Sequence, residues 1–422
     1  MTPASPETQF YRWIILACSF LVLFVTNGMT LGGIAVFDLH LLDALKESTG
    51  QEVILQQLKF RDFIMFVVGG SLGLAAGWLA DRVGVKPLFI IGLALMALCN
   101  FAYSQVQSLT DIYLISATYG VVLVLAGLML NVYLISRWFE EKRGLAIGIV
   151  LAGSSLGNAF FPQLNTWLIT TYSWQEAFIW LALMPAVLVP IVFFVLKSAP
   201  TNSNQPKAVE DTRDAPLPGY TLMEALKSRN FWIISSMAFC TFYAIIAMGA
   251  TTFTFLRAEN YSPQISASGV TVLFIGGFIG KLISGQLAET LGRKKVLLVG
   301  LGLMLTGSVA LVLAVNFKHE LFIWVGVVGF GFGWGGIYTL IQLLSADLFG
   351  LRSLGKILGA VNVLDTMGAA LGPWVTAILF DRTGSFLVSF GVITTFLVIA
   401  TVAAAFLDMS KAAYLQTQQG AQ

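Results

Sequence analysis

The apolar stretch 273–295, LFIGGFIGKLISGQLAETLGRKK, carries one cation within it, Lys281. On insertion scales a charge at the middle of such a helix costs about 2.5–3.5 kcal/mol, so a residue of this kind marks a functional site with a partner still to be found. The competing reading is a lysine whose flexible stem carries the ammonium out to the headgroups. Asp365 is the only acid inside an apolar run of the second half of the chain. A carboxylate at that depth either exchanges a proton or makes a hydrogen bond between helices. Weaker polar candidates lie in other apolar runs: Asn27, Thr30, Asn131, Tyr133, Ser155 and Asn158 early, and Tyr243, Tyr338, Gln342 and Asn362 late. For each of these, helix packing competes with ligand contact.

These residues sit on a framework that is strongly apolar. Of 422 residues, 57% are hydrophobic and 11% charged, against about 25% charged in soluble domains. The chain therefore reads as an all-α integral membrane protein. Runs long enough to span a bilayer fall near 12–36, 62–80, 87–105, 109–135, 145–170, 175–196, 231–256, 266–288, 296–315, 321–346, 356–379 and 385–407, about twelve in all. The fifth and eleventh contain Pro162 and Pro373 and read as interrupted there. A lead of about eleven residues runs into a first segment too long for a signal-peptide core, so the first helix is expected to be retained.

The chain is written twice. Gly77-Trp-Leu-Ala-Asp81-Arg82-Val-Gly84-Val-Lys86 returns as Gly285-Gln-Leu-Ala-Glu289-Thr-Leu-Gly292-Arg293-Lys294 (285 − 77 = 208). Gly144, Gly148, Gly157 and Pro162 return as Gly355, Gly359, Gly368 and Pro373, each 211 positions on (355 − 144 = 211). Two motif pairs at nearly one offset point to two six-helix bundles, residues 1–197 and 230–422, joined by a polar, Pro-rich linker at 198–229. Within that linker, 220–229 has the makings of a short interfacial helix. With both termini inside, 17 of the 24 Lys and Arg fall in cytoplasmic segments and 6 in outer ones, Lys281 being the remaining one. This bias sets the orientation. Arg61 and Asp62 then fall at the outer interface.

The twinned Gly-x-x-x-Asp-Arg-x-Gly-x-Lys turn resembles the signature of the major facilitator superfamily, with Val85 and Glu289 as departures. Within it, Arg137-Trp138-Phe139, Arg143-Gly144, Ala152-Gly153, Gly157 and Trp174-x-x-Ala177-Phe178 are similar to the monocarboxylate-transporter branch and the related oxalate/formate exchangers. The resemblance implies the major facilitator fold, with two pseudo-symmetric bundles. It also implies a secondary transporter of small organic anions, a proton-coupled lactate- or pyruvate-like carrier working by alternating access. Lys281 occupies the place where that branch often carries an Arg, four residues before Gly285. The Asp often found four residues earlier is here Gly277. Asp365 then becomes the replacement proton site or counter-ion, and Lys281 the anion anchor or a partner in coupling. The resemblance makes Gly77, Asp81, Arg82, Gly84, Gly285, Glu289, Gly292, Arg293 and Arg143 conformational gating residues. An organic-anion exchanger, or a carrier of sugars or drugs, stays open as the alternative.

Other classes lack their residues. Cys18, Cys99 and Cys240 each lie in an apolar run, and His40 and His319 are far apart, so neither a metal site nor a nucleophile–base pair is expected and no cofactor is implied. There is no phosphate-binding loop for primary pumping, and no ring of repeated residues for a channel. A net charge of +2 gives no reason to expect nucleic acid. The expected partners are a small organic anion, a proton and the bilayer, with the chain acting as a monomer. Short loops point to a bacterial inner membrane with both termini cytoplasmic.

Overall fold

The structure, a computed structural model, describes residues 6–139, 142–197, 219–350 and 352–410. Among them the secondary structure is helical, with one isolated β-bridge between Gly219 and Gly350. The first span is composite: α1 (Pro6–Asn27), a π-helical stretch Gly28–Gly33, a 3-10 stretch Ile34–Phe37 and α2 (Asp38–Thr49). α3 (Leu55–Val83) and α4 (Val85–Tyr103) follow, and α5 (Leu109–Ala126) with α6 (Leu128–Trp138) makes a broken fourth span. α7 (Arg143–Thr171) and α8 (Trp174–Val195) complete the first half. Most of the expected linker, 198–218, lies outside the described residues, and its end forms the short α9 (Leu222–Leu226). α10 (Arg229–Ala258), α11 (Pro263–Leu291) and α12 (Arg293–Phe317) come next. α13 (Glu320–Trp334) and α14 (Ile337–Phe349) make a broken tenth span, and α15 (Leu354–Thr383) and α16 (Leu387–Ala405) end the described chain. Eleven helical stretches among the described residues are long and apolar enough to cross a membrane. They become twelve when α3, bent by 58° between Gly73 and Ala75, is taken as one span.

Local chemistry sets the ends of these helices. Ser108 accepts from the Asp111 amide at 3.2 Å while Asp111 accepts from the Ser108 amide at 2.9 Å, a reciprocal cap that starts α5. Gly84 and Gly292, 208 positions apart, take φ of 85° and 88° where α3 turns into α4 and α11 into α12. A side chain is strained in that region, which is why both copies of the turn keep a glycine. Helical structure continues through Pro162 and Pro373, where the sequence suggests interruption. Breaks occur instead at Gly127 and at Gly335-Gly336 (335 − 127 = 208).

The duplication is visible in packing. α4 lies against α5 and α8, and its later counterpart α12 lies against α13 and α16. A Cβ on Gly157 of α7 would strike the Phe24 carbonyl of α1, and one on Gly368 of α15 the Phe239 carbonyl of α10. These glycines, 211 positions apart, let each pair of helices meet backbone to backbone. Two compact units result. One comprises 1–200, 248–275 and 373–386, the other 201–247, 276–372 and 387–422. The first thus takes in pieces of the second sequence half.

The apolar pattern starts the second span at residue 62. The helix starts at Leu55, and its first two turns carry Lys59, Arg61 and Asp62 as buried side chains. The physical reason is mutual neutralisation with Asp38, which hydropathy cannot register.

Candidate functional site

Lys281 is fixed by the break in the tenth span. α13 ends at Trp334, Gly335 and Gly336 form the break, and α14 begins at Ile337. A Cβ on Gly280 would strike the Phe332 carbonyl, one on Gly335 the Gly277 carbonyl, and one on Gly336 the Ser284 hydroxyl. Backbone therefore presses on backbone along the turn of α11 that carries Lys281. The Trp334 indole lies on Gly277, where a Cβ would collide with the ring. The Lys281 ammonium stands 6.0 Å from the ring centroid of Trp334. A cation over an indole at that distance gains about 0.5–1 kcal/mol, and more when desolvated. Glycine at 277 thus makes room for an aromatic wall beside the cation.

Past the break, Tyr338 turns toward α15. Its hydroxyl shares side-chain hydrogen bonds with Gln342 and Asn362 and lies within Coulombic range of Asp365. Asp365 is 7% exposed and accepts from Thr366 Oγ1 at 3.2 Å. Trp334 and Tyr338, four residues apart, relate the broken span to the half-buried cation on one side and the buried acid on the other. Tyr243, 2% exposed, has its backbone against Gly368 and Gly372 of α15 and its ring 4.6 Å from that of Phe396.

The two glycine-rich turns are held in different ways. In the first copy Asp81 accepts from the Tyr133 hydroxyl at 2.5 Å, and Arg137 Nη1 donates to that hydroxyl at 2.7 Å. Arg82 lies 4.5 Å over the Trp78 ring. In the second copy the base makes the contact: Arg293 pairs with Asp347 of α14 and donates to the Leu343 carbonyl at 3.3 Å. Lys294 donates at 2.8 Å to each of the carbonyls of Ala405 and Leu407 at the end of α16. Glu289 is exposed, Gly77 and Gly285 face open space, and Arg143 is exposed at the first residue of α7.

The sequence pattern of the Major Facilitator Superfamily matches residues 12–373. The chain belongs to that superfamily. It is 28% identical over 69% of its length to the uncharacterized MFS-type transporter YhjX of Escherichia coli, covering 72% of that protein. To the oxalate:formate antiporter of Oxalobacter formigenes it is 24% identical over 89% of each chain. To monocarboxylate transporter 13 of Rattus norvegicus it is 24% identical over 93% of its length and 88% of that protein. The chain is a multi-pass membrane protein of a transporter family.

Within this major facilitator transporter, the first-half candidates divide by what they touch. Asn27 donates to the Ser154 hydroxyl at 2.9 Å, and Asn158 accepts from the Gly32 amide at 2.7 Å. The first ties the end of α1, and the second the π-helical stretch after it, to α7. Thr30 donates to the Thr26 carbonyl of its own helix at 2.7 Å. Asn131 donates to the carbonyls of Ala126 and Gly127 at 3.0 and 2.8 Å and accepts from Ser19 at 2.6 Å. It occupies the break in the fourth span. Tyr133 is joined to the first turn motif through Asp81.

Sequence reasoning missed Trp334 and Asp347. The one available signal for Trp334 is the pair of glycines that follows it inside an apolar run. Asp347 stands just past the end of the tenth apolar segment, where an acid reads as an interfacial residue.

Proposed function

We propose that this transporter carries small organic anions, monocarboxylates of the lactate and pyruvate kind, together with protons by alternating access. Lys281 is the anion anchor and Asp365 the proton-coupling group. The observation that carries the reading is the broken tenth span, which sets Trp334 6.0 Å from the Lys281 ammonium and Tyr338 within Coulombic range of Asp365. A carboxylate bound to a half-buried ammonium neutralises it, and a proton on Asp365 neutralises the acid. The loaded carrier then crosses the bilayer with little net charge at depth, which lowers the barrier to switching. Tyr338, Gln342, Asn362 and Tyr243 supply hydrogen-bond donors around that pair. Asn27, Thr30, Tyr133 and Asn158 are the first-half residues that complete a substrate path, while Asn131 spends its hydrogen bonds on the break in the fourth span. The glycine-rich turns, with Arg143, bias the exchange between states through their Asp81–Tyr133 and Arg293–Asp347 contacts. The moving bodies are the sequence halves 1–197 and 230–422. The Lys/Arg bias orients both termini to the cytoplasm of a bacterial inner membrane, and the chain works as a monomer.

Exchange of one organic anion for another is a second reading, favoured by the likeness to an oxalate:formate antiporter. Both are tested in liposomes with labelled pyruvate, lactate, oxalate and formate, under an inward proton gradient or against internal unlabelled anion. Lys281→Ala is expected to lower uptake about 100-fold, on the scale of losing one partner of a buried charge pair, and Lys281→Arg to retain a measurable part. Asp365→Asn is expected to abolish gradient-driven uptake and spare exchange. Wild-type protein that moves none of these anions in either mode refutes the substrate assignment.

A further inference from the structure

The first two turns of α3 hold three charges that the site above does not use. Asp38, the first residue of α2, meets Arg61 Nη2 at 2.5 Å and Lys59 Nζ at 2.6 Å. Thr254 of α10 adds a 3.4 Å hydrogen bond to the same carboxylate. Lys59 also donates to the Ala250 carbonyl of α10 at 2.8 Å. Asp62 lies 3.7 Å from Lys59 Nζ and 3.5 Å from Arg61 Nε. The side chains of Asp38 and Lys59 are 0% exposed, Arg61 1% and Asp62 7%. One turn earlier, Asp381 of α15 accepts the Leu55 and Gln56 amides at 3.3 and 2.6 Å, and the Trp374 ring lies 5.0 Å from Phe60 and 5.2 Å from Phe63.

Two features separate this cluster from a static anchor. Four buried charges are an expensive way to hold helices together, since apolar packing of the same volume is often as stable or more so. The cluster is also incompletely satisfied: Arg61 Nε and Nη1 and Asp62 Oδ2 are buried and make no hydrogen bond. Such a network gives up stability that a fully bonded one would keep. Costly, under-bonded polar contacts suit an element that must exchange partners. The contacts divide by sequence half. Asp38, Lys59, Arg61 and Asp62 all belong to the first, whereas Ala250, Thr254 and Asp381 belong to the second. Lys59 bonds to both.

We propose that Lys59 is a gating residue on the α2 side of the protein, the outer side by the charge bias. Its bonds to Ala250 and Asp38 hold α3 against α10 and keep that side closed. Opening moves the ammonium from the Ala250 carbonyl to Asp62, whose Oδ2 makes no hydrogen bond and lies 3.7 Å from Nζ. The Asp38–Arg61 pair stays intact and prevents either charge from being stranded. The gate rests on the alternating-access reading but not on the identity of the substrate.

The test uses spin labels on Gln51→Cys and Gln264→Cys, both exposed positions; the native Cys18, Cys99 and Cys240 are buried. Inter-label distances are measured by pulsed electron paramagnetic resonance in lipid nanodiscs. Lys59→Met keeps the stem and removes the charge. Losing a hydrogen bond made by a charged group corresponds to a shift of about tenfold or more in a two-state ratio, so the long-distance population is expected to rise by that factor. Thr254→Val is expected to shift it in the same direction by less, and Lys59→Arg to stay near the parent. Should Lys59→Met not fold, Thr254→Val and Asp381→Asn carry the test. Distance distributions unchanged from the parent in Lys59→Met, or in both substitutes, overturn the gate. Reduced carboxylate uptake in Lys59→Met with unchanged distances overturns it too, and assigns the residue to the substrate route. A protein that carries no carboxylate but whose distances respond keeps the gate and loses the substrate reading.

Discussion

Asn131 is the residue at which a packing role and a ligand role can be separated by magnitude. Its amide donates to two carbonyls at the Gly127 break and its oxygen accepts from Ser19, three side-chain hydrogen bonds from a residue that is 0% exposed. Asn131→Ala removes all three. Neither carbonyl is fully orphaned, because Thr26 still reaches Ala126 at 3.3 Å and the backbone amide of residue 131 still reaches Gly127 at 3.3 Å. The cost is therefore that of three interhelical or capping bonds, not of two bare carbonyls in hydrocarbon. At about 0.6 kcal/mol per bond, the average for double-mutant cycles within a membrane, the loss is about 2 kcal/mol. Values nearer 1.5 kcal/mol per bond would raise it to about 4.5 kcal/mol. Ser19→Ala alone should lose about a third of the effect, and the double variant should add little to Asn131→Ala, since the two share one bond. Reversible unfolding in mixed micelles reads the stability, and the KM for labelled pyruvate reads the ligand role. The expected result is a clear loss of stability with KM within about twofold of wild type, because an interaction made only within the protein leaves substrate affinity unchanged. Unchanged stability with KM raised tenfold would refute this account and return Asn131 to the substrate.

Other perturbations have equally definite outcomes. Gly277→Ala places a methyl in the Trp334 indole and should lower proton-driven uptake by displacing the ring from beside Lys281, while Gly277→Ala combined with Trp334→Leu should recover part of it. Recovery absent, with both proteins equally well folded, would show that the ring does not set the position of the ammonium. Gly84→Ala and Gly292→Ala force a side chain into positive φ and should each lower unfolding stability by about 1–2 kcal/mol, an effect absent from Gly77→Ala and Gly285→Ala, where a Cβ meets nothing within 4 Å.

Much of the architecture was legible because it depends on averages. A run of about twenty apolar residues declares a span whatever its packing, and a glycine-rich basic turn repeated 208 positions on declares a duplication. The broken spans were not legible, since Gly127 and Gly335 look like any helix-packing glycine in an apolar run. The prolines misled for the opposite reason: Pro162 and Pro373 carry a strong local signal for interruption, and the surrounding helix absorbs them. The buried ionic cluster escaped because hydropathy scores Lys59, Arg61 and Asp62 as three solvated residues. Their cancellation needs Asp38, which lies across the whole connection between the first and second spans. Lys281 and Asp365 were legible as charges out of place. That Trp334 lies at the cation and Tyr338 within Coulombic range of the acid could not be read, because an aromatic in an apolar run is ordinarily core.

The two halves share a scaffold and differ in what fills it. Both fourth-type spans break at the same point of the repeat, Gly127 and Gly335. In the first half the break is closed by a side chain of its own helix, Asn131, which spends its hydrogen-bonding capacity on the carbonyls and on Ser19. In the second half two glycines press the break against α11, and the residues on either side, Trp334 and Tyr338, turn outward from it to a cation and an acid. The same division recurs at the glycine-rich turns, where the acid makes the contact in the first copy and the base in the second. Duplication supplies two equivalent bundles, and a carrier with identical chemistry in both would place two half-buried cations where one anion binds. Keeping Lys281 and Asp365 in one copy, and an internally satisfied break in the other, leaves unmatched chemistry at one of the two breaks. In the proposed reading, substitutions that impair anion binding should cluster around the tenth-span break, and those that shift opening around Lys59.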